Sequence, residues 1–188
     1  MADAASRQPD AMRREKLAGL STTRERVSVT PGPPAARLAL RADEDALNSL
    51  SRALGVTLPR KPKTSARAKS GSRAALWLGP DEWLVVDEDG ADLPAAAGRA
   101  KALHSAVDVS HRNVAILVTG EGAEACLAAG CPQDLSLAAF PVGACSRTVL
   151  GKVEIVLWRT GERAFHVEVW RSFAEYAYAF LAEAARDV

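Results

Sequence analysis

Three residue types that can run nucleophilic catalysis fall within four positions of the stretch AVDVSHRNVAILVTGEGAEACL, residues 106–127: Asp108, Ser110 and His111. In a charge relay the imidazole takes the hydroxyl proton while the carboxylate orients the ring. Val107, Asp108, Val109 and Ser110 alternate, so Asp108 and Ser110 share one face of an extended segment and His111 turns away from Ser110. A ring on the opposite face does not reach the hydroxyl. No nucleophile-elbow glycines surround Ser110 either. The pattern predicts that Asp108 and Ser110 hydrogen-bond local backbone at a junction, and it assigns no catalytic residue.

The remaining chemistry-bearing types are equally sparse. Cys126, Cys131 and Cys145 are spaced by five and fourteen residues, unlike the short paired loops of a structural zinc site, so reduced and packed thiols are expected. His104, His111 and His166 form no pair at metal-ligand spacing, and no glycine-rich phosphate loop or HExxH helix is present. Neither a metal-ligating nor a cofactor-binding residue is therefore assigned. Arg60, Lys61, Lys63, Arg67, Lys69 and Arg73 make a basic stretch without interleaved aromatics, which reads as a solvated or subunit-facing hairpin edge rather than a nucleic-acid surface.

The elements that would position these residues follow from composition and periodicity. The chain has 188 residues, 48% hydrophobic and 25% charged, with a net charge of +1. That is enough for one substantial core and gives no global field for nucleic acid or lipid. The longest apolar run is too short to span a bilayer and the polar start lacks a signal-peptide core, which predicts a cytoplasmic protein. Residues 1–25 read as a flexible leader. Strands are expected at 36–42, 66–70, 73–78 and 83–87, with helices at 44–54, capped by Asp43, and at 93–103. The order then repeats: a strand at 113–119, a helix at 120–129, strands at 146–150, 152–159 and 164–170, and a helix at 173–186. Gly55 and Gly130 close the first helix of each half. Ser172 and Glu175 form a capping box for the last helix, whose stripe Phe173, Tyr176, Ala177, Phe180, Leu181 and Ala184 is expected inward. Two β-α-β-β-β-α halves, about 26–104 and 105–188, thus form a pseudo-duplicated α+β domain sharing one core.

DVSH, the following strand and TGEGAEACL resemble the opening of the folate-binding fold of the glycine-cleavage T-protein. ALWLGPDEWLVV, AAGCPQDL, FPVGACSRTVLGKVEIVLWR and FHVEVWRSFAEYAYAFL, in that order, resemble the gamma subunits of heterotetrameric sarcosine oxidase from about Arg37 onward. The resemblance implies a non-catalytic accessory subunit in an enzyme that oxidatively demethylates sarcosine to glycine. It implies alpha, beta and delta subunits as partners, with FAD, FMN, NAD and tetrahydrofolate on those partners and zinc on delta. Where folate-dependent relatives carry paired aspartates this chain reads Gly151-Lys152-Val153-Glu154, and where they carry an asparagine it reads Val169-Trp170-Arg171-Ser172. A standalone tetrahydrofolate-binding protein is the alternative, and a basic RNA-associated module a third reading.

On the strand 164–170, Phe165, Val167 and Val169 are expected in the core, which turns His166, Glu168 and Trp170 outward. An outward tryptophan followed by arginine suits an interface anchor. Trp170, Arg171, His166 and Glu168 are therefore the expected contact with the alpha subunit, with Tyr178 as a second anchor; Trp170 filling the core between the halves is the alternative. Trp158 reads equally as core or as contact.

Overall fold

The computed structural model describes residues 15–188. The part of the expected leader at 1–14 lies outside them. Strands β1 (Thr22–Thr23) and β2 (Ser28–Pro31) precede β3 (Ala36–Ala42), a 3-10 turn at Glu44–Ala46 and α1 (Leu47–Leu54). Then come β4 (Ser65–Arg67), β5 (Ala74–Gly79), β6 (Glu82–Asp87), α2 (Leu93–Ala97) and β7 (His104–Asp108). The second half runs β8 (Asn113–Thr119), α3 (Ala123–Ala128), β9 (Cys145–Leu150), β10 (Val153–Gly161), β11 (Ala164–Trp170), a 3-10 turn at Arg171–Phe173 and α4 (Ala174–Ala184).

The duplication is visible in the sheet order. One sheet runs β4-β5-β6-β3-β7 and the other β1-β2-β8-β11-β10-β9, so β4-β5-β6-β3 and β9-β10-β11-β8 repeat one antiparallel plan. The leading strands are exchanged: β2, which precedes the first half, pairs with β8, and β7, which precedes the second, pairs with β3. Each half therefore needs a strand from across the chain to complete its sheet. Leu17 is buried and Thr22 pairs with Val29, so residues 15–25 pack on the second sheet rather than trailing as a leader. Two short polar residues carry too little alternation to read as a strand.

Burial falls into three clusters where a single shared core is expected. Leu38, Leu40, Trp83 and Val85 face α1 and α2; Ile116, Val118, Ile155, Leu157, Phe165, Val167 and Val169 face α3 and α4. Between the sheets lie Leu76, Leu84, Val86, Val109, Cys145, Val156 and Trp158. The stacking is helices, sheet, sheet, helices, with both faces of each sheet covered. Trp158 belongs to this middle layer, 4% exposed, with Nε1 donating to Ser65 Oγ at 2.9 Å.

Helix α4 is rotated from its expected phase. Its buried residues are Ala174, Ala177, Tyr178, Leu181 and Ala184, while Phe173 and Tyr176 are exposed and Phe180 is half-buried. Alanines let the helix approach the sheet closely, and the Tyr178 hydroxyl meets Thr22 Oγ1 at 3.0 Å. Tyr178 is thus a core residue and not an anchor. The expected capping box is absent: Phe173 is the N-cap without a side-chain bond, and Glu175 pairs with Lys16 at 3.3 Å. Asp43 likewise makes no side-chain cap bond. Gly55 ends α1 at φ +68, as expected, but Gly130 serves another purpose: a Cβ there would lie 2.5 Å from the Phe180 ring.

Candidate interaction surface

Strand β11 presents two chemistries. Phe165, Val167 and Val169 face α3 and α4, as the alternation requires. His166 and Glu168 do not face solvent: they are 3% and 1% exposed, because the first sheet covers the face on which they stand. A polar alternate face normally signals a half-solvated antiparallel sheet, and here it is matched by a buried arginine from the opposite layer. Arg37 of β3 donates from Nε to Glu168 Oε2 at 2.7 Å and from Nη1 to the Ala35 carbonyl at 3.0 Å. His166 Nε2 lies 2.8 Å from Glu168 Oε1. Burial alone would raise the Glu168 pKa; the bond with His166 and the Arg37 charge outweigh it and hold the carboxyl at about 2. The His166 ring also packs on Trp158 at 5.6 Å between centroids, and the Arg67 guanidinium lies over the Trp158 ring at 4.4 Å. Arg37 escaped the sequence reading, although a charged residue inside the apolar strand ARLALRA was its signal.

At the end of β11 the cover stops. Trp170 is 40% exposed and stacks on Phe173, 6.1 Å away at 22° between planes. The Arg112 guanidinium lies over the Trp170 ring at 4.6 Å, and the Arg171 amide donates to the Arg112 carbonyl at 2.6 Å. Tyr176, 37% exposed, follows Phe173 one turn on along α4 and leans toward Phe180, 6.3 Å between centroids. Aromatic rings and an arginine on open surface are the composition of a binding hot spot. Of the four expected contact residues, the structure leaves Trp170 and the half-buried Arg171 at the surface and moves His166 and Glu168 inside.

The Asp-Ser-His stretch forms no relay. Ser110 Oγ accepts from the Arg37 amide at 2.8 Å and donates to Asp108 Oδ1 at 2.5 Å, and the Ser110 amide donates to the same oxygen at 2.8 Å. His111 is exposed on the turn. The three cysteines are free and buried, and burial pushes the thiols of Cys126 and Cys145 up to about 11 and about 12. Among the described residues no cluster of three His, Cys, Asp or Glu can hold a metal ion. Glu154 points outward and pairs with Arg147 at 3.7 Å. Half of the basic stretch is engaged internally: Arg60 with Glu44, Arg73 with Asp87, and Arg67 on Trp158. No helix among the described residues is long and apolar enough to cross a membrane.

A pseudo-duplicated two-sheet α+β protein with a buried inter-sheet ion network and an aromatic surface patch is the class these features define. A glycine-cleavage aminomethyltransferase T from Bartonella henselae shares the fold, with a TM-score of 0.64 at 17% identity over 85% of this chain and 46% of that one. The chain belongs to the sarcosine oxidase, gamma subunit family, whose profile matches residues 40–187. The gamma subunit of sarcosine oxidase from Corynebacterium sp. (strain P-1) is 33% identical over 141 residues, 74% of this chain and 69% of that one. Its Arthrobacter sp. counterpart is 34% identical over 143 residues, with the same coverage. A chain of the heterotetrameric sarcosine oxidase from Corynebacterium sp. U-96, solved with pyrrole 2-carboxylate, superposes with a TM-score of 0.81 at 30% identity, covering 89% of this chain and 88% of that one.

Proposed function

We propose that this chain is a non-catalytic subunit of a heterotetrameric sarcosine oxidase, the complex that oxidatively demethylates sarcosine to glycine, and that it docks and stabilises the large alpha subunit. The observation that carries the docking role is the stacked, exposed Trp170–Phe173 pair with Arg112 across its face. The patch stands on the last residue of a central strand and the first turn of α4, so it is rigid before it binds. The similarity to a chain of a heterotetrameric sarcosine oxidase supports an assembly of this kind. Alpha, beta and delta subunits are the proposed partners, with FAD, FMN, NAD and tetrahydrofolate on those chains and zinc on delta, in the cytoplasm. The exchanged β2 and β7 support reading residues 26–188 as one cooperative unit.

A second reading, tetrahydrofolate binding by this chain itself, draws on one feature. An open cleft of about 400 Å3 lined by Pro31–Ala35 is bordered by Lys16 and Arg171 and by Asn113, whose buried Oδ1 meets no hydrogen-bond partner among the described residues. Co-expression of all four chains separates the readings. Co-elution at equal stoichiometry, with no flavin absorbance and no sarcosine-dependent peroxide from this chain alone, is expected. A chain that stays apart from the complex and titrates with tetrahydrofolate would establish the second reading.

A further inference from the structure

The outer edge of β7 has no strand beside it among the described residues. Three of the four sheet ends are blunted: β1 has two residues, β4 has three, and β9 is covered by the segment 130–144. That cover is specific, since the Gly151 amide donates to the Gly130 carbonyl and Ser146 Oγ donates to Gln133. Strand β7 has five residues, among the described residues pairs only with β3, and contains no proline and no bulge. Leu103 beside it is 87% exposed and Val107 within it 54%.

The ladder shows which backbone groups face out. The Val109 amide donates to the Arg37 carbonyl at 2.9 Å, and Leu38 stands opposite Asp108. Antiparallel bonding alternates, so Val107 and Ser105 also bond β3, while the N–H and C=O of His104 and Ala106 point away from the sheet. Unpaired groups beside exposed apolar side chains are a template for another strand. The exposed Lys101 supplies a cation beside this edge, while Arg99 turns to the Ala53 carbonyl at 3.1 Å, Arg112 lies over Trp170 and the Asp108 carboxylate is turned onto Ser110. In an antiparallel self-pair centred on Ser105 or Ala106, Lys101 of one copy falls beside the turn residues 109–111 of the other, where the neighbouring acid, Asp108, is already turned onto Ser110. The same turn carries Arg112 onto Trp170, which makes the edge continuous with the aromatic patch.

We propose that β7 is completed by an extended segment of a different subunit of the assembled oxidase, apolar in alternation and with an acidic side chain beside Lys101; this rests on the subunit reading above. The mode is strand addition, in which main-chain bonds supply affinity and alternate side chains supply selectivity. Hydrogen exchange on the assembled complex tests it, with the isolated chain as reference. The His104 and Ala106 amides are expected to exchange about 100-fold more slowly in the complex. Ala106→Pro removes an outward N–H and no ladder bond, so it should leave the isolated chain's melting midpoint within about 2 °C and cut recovered complex about 10-fold. Val107→Lys, which keeps every backbone donor, should act the same way if proline perturbs folding. Equal exchange in both states, or normal assembly by both variants, overturns the proposal. So does a concentration-dependent dimer of this chain that protects the same amides. Failure of the wild-type chain to assemble at all overturns the subunit reading instead.

Discussion

Replacing Glu168 by glutamine removes the one negative charge that holds Arg37 between the sheets. Both groups are at most 3% exposed, and among the described residues Glu168 is the carboxylate that pairs with Arg37. Breaking a buried ion pair from one side costs about 3–5 kcal/mol, because the remaining charge stays desolvated. A second route gives a similar size. Moving the carboxyl from its ordinary 4.5 to about 2 corresponds to about 3 kcal/mol of preference for the ionised form in the folded chain. The folded pKa is depressed, so this stabilisation is complete above about pH 4.5 and is lost as pH falls through 2. Urea unfolding of Glu168→Gln at pH 7 should show a loss of about 3 kcal/mol, and the gap to wild type should narrow to about 1 kcal/mol at pH 3. Arg37→Met with Glu168→Leu should recover at least half of the loss, since an apolar pair leaves no unpaired charge. A loss under about 1 kcal/mol at pH 7, or a gap unchanged between pH 7 and 3, would refute the assignment of this network as the inter-sheet clamp.

Two further outcomes concern the residues that invite a catalytic reading. Ser110→Ala deletes the acceptor for the Arg37 amide and should cost about 1–2 kcal/mol in chemical denaturation while leaving the sarcosine turnover of the assembled enzyme intact; a turnover loss without a stability loss would contradict it. Cys126 and Cys145, with thiols pushed up to about 11 and about 12, should resist a thiol reagent at pH 8 until the chain is unfolded, and rapid native labelling of either would show that its burial is misjudged.

Much of the chain plan is legible from local pattern. The bounds of β8 and β11 match the expected strands residue for residue, because β8 is an unbroken apolar run between Asn113 and Thr119 and β11 alternates Phe165, Val167 and Val169 with polar positions. The repeat of strand, helix and three strands is likewise readable, and it accounts for the shared sheet order. What local pattern does not carry is the partner of each face. Arg37 and Glu168 are 131 residues apart, so the polar face of β11 reads as solvent until the other sheet is laid on it. The phase of α4 fails for a related reason. A stripe scored by hydrophobicity favours Phe173, Tyr176 and Phe180, whereas close approach to the sheet favours the alanine face, and a hydroxyl contact from Thr22 seats Tyr178 beside it. The exposed Phe173 and Tyr176 that result are the raw material of the proposed docking patch.

That patch is tested most directly through Trp170. Trp170→Ala removes a 40% exposed ring that stacks on Phe173 beneath Arg112 and lies outside all three buried clusters. The measurement is the affinity of the purified variant for the alpha subunit, read beside its own melting midpoint. The account predicts binding weakened by about 2 kcal/mol or more, roughly thirtyfold, with the midpoint of the isolated chain nearly unmoved. A midpoint that drops sharply while affinity per folded molecule stays at the wild-type value would contradict it and assign Trp170 to the fold alone.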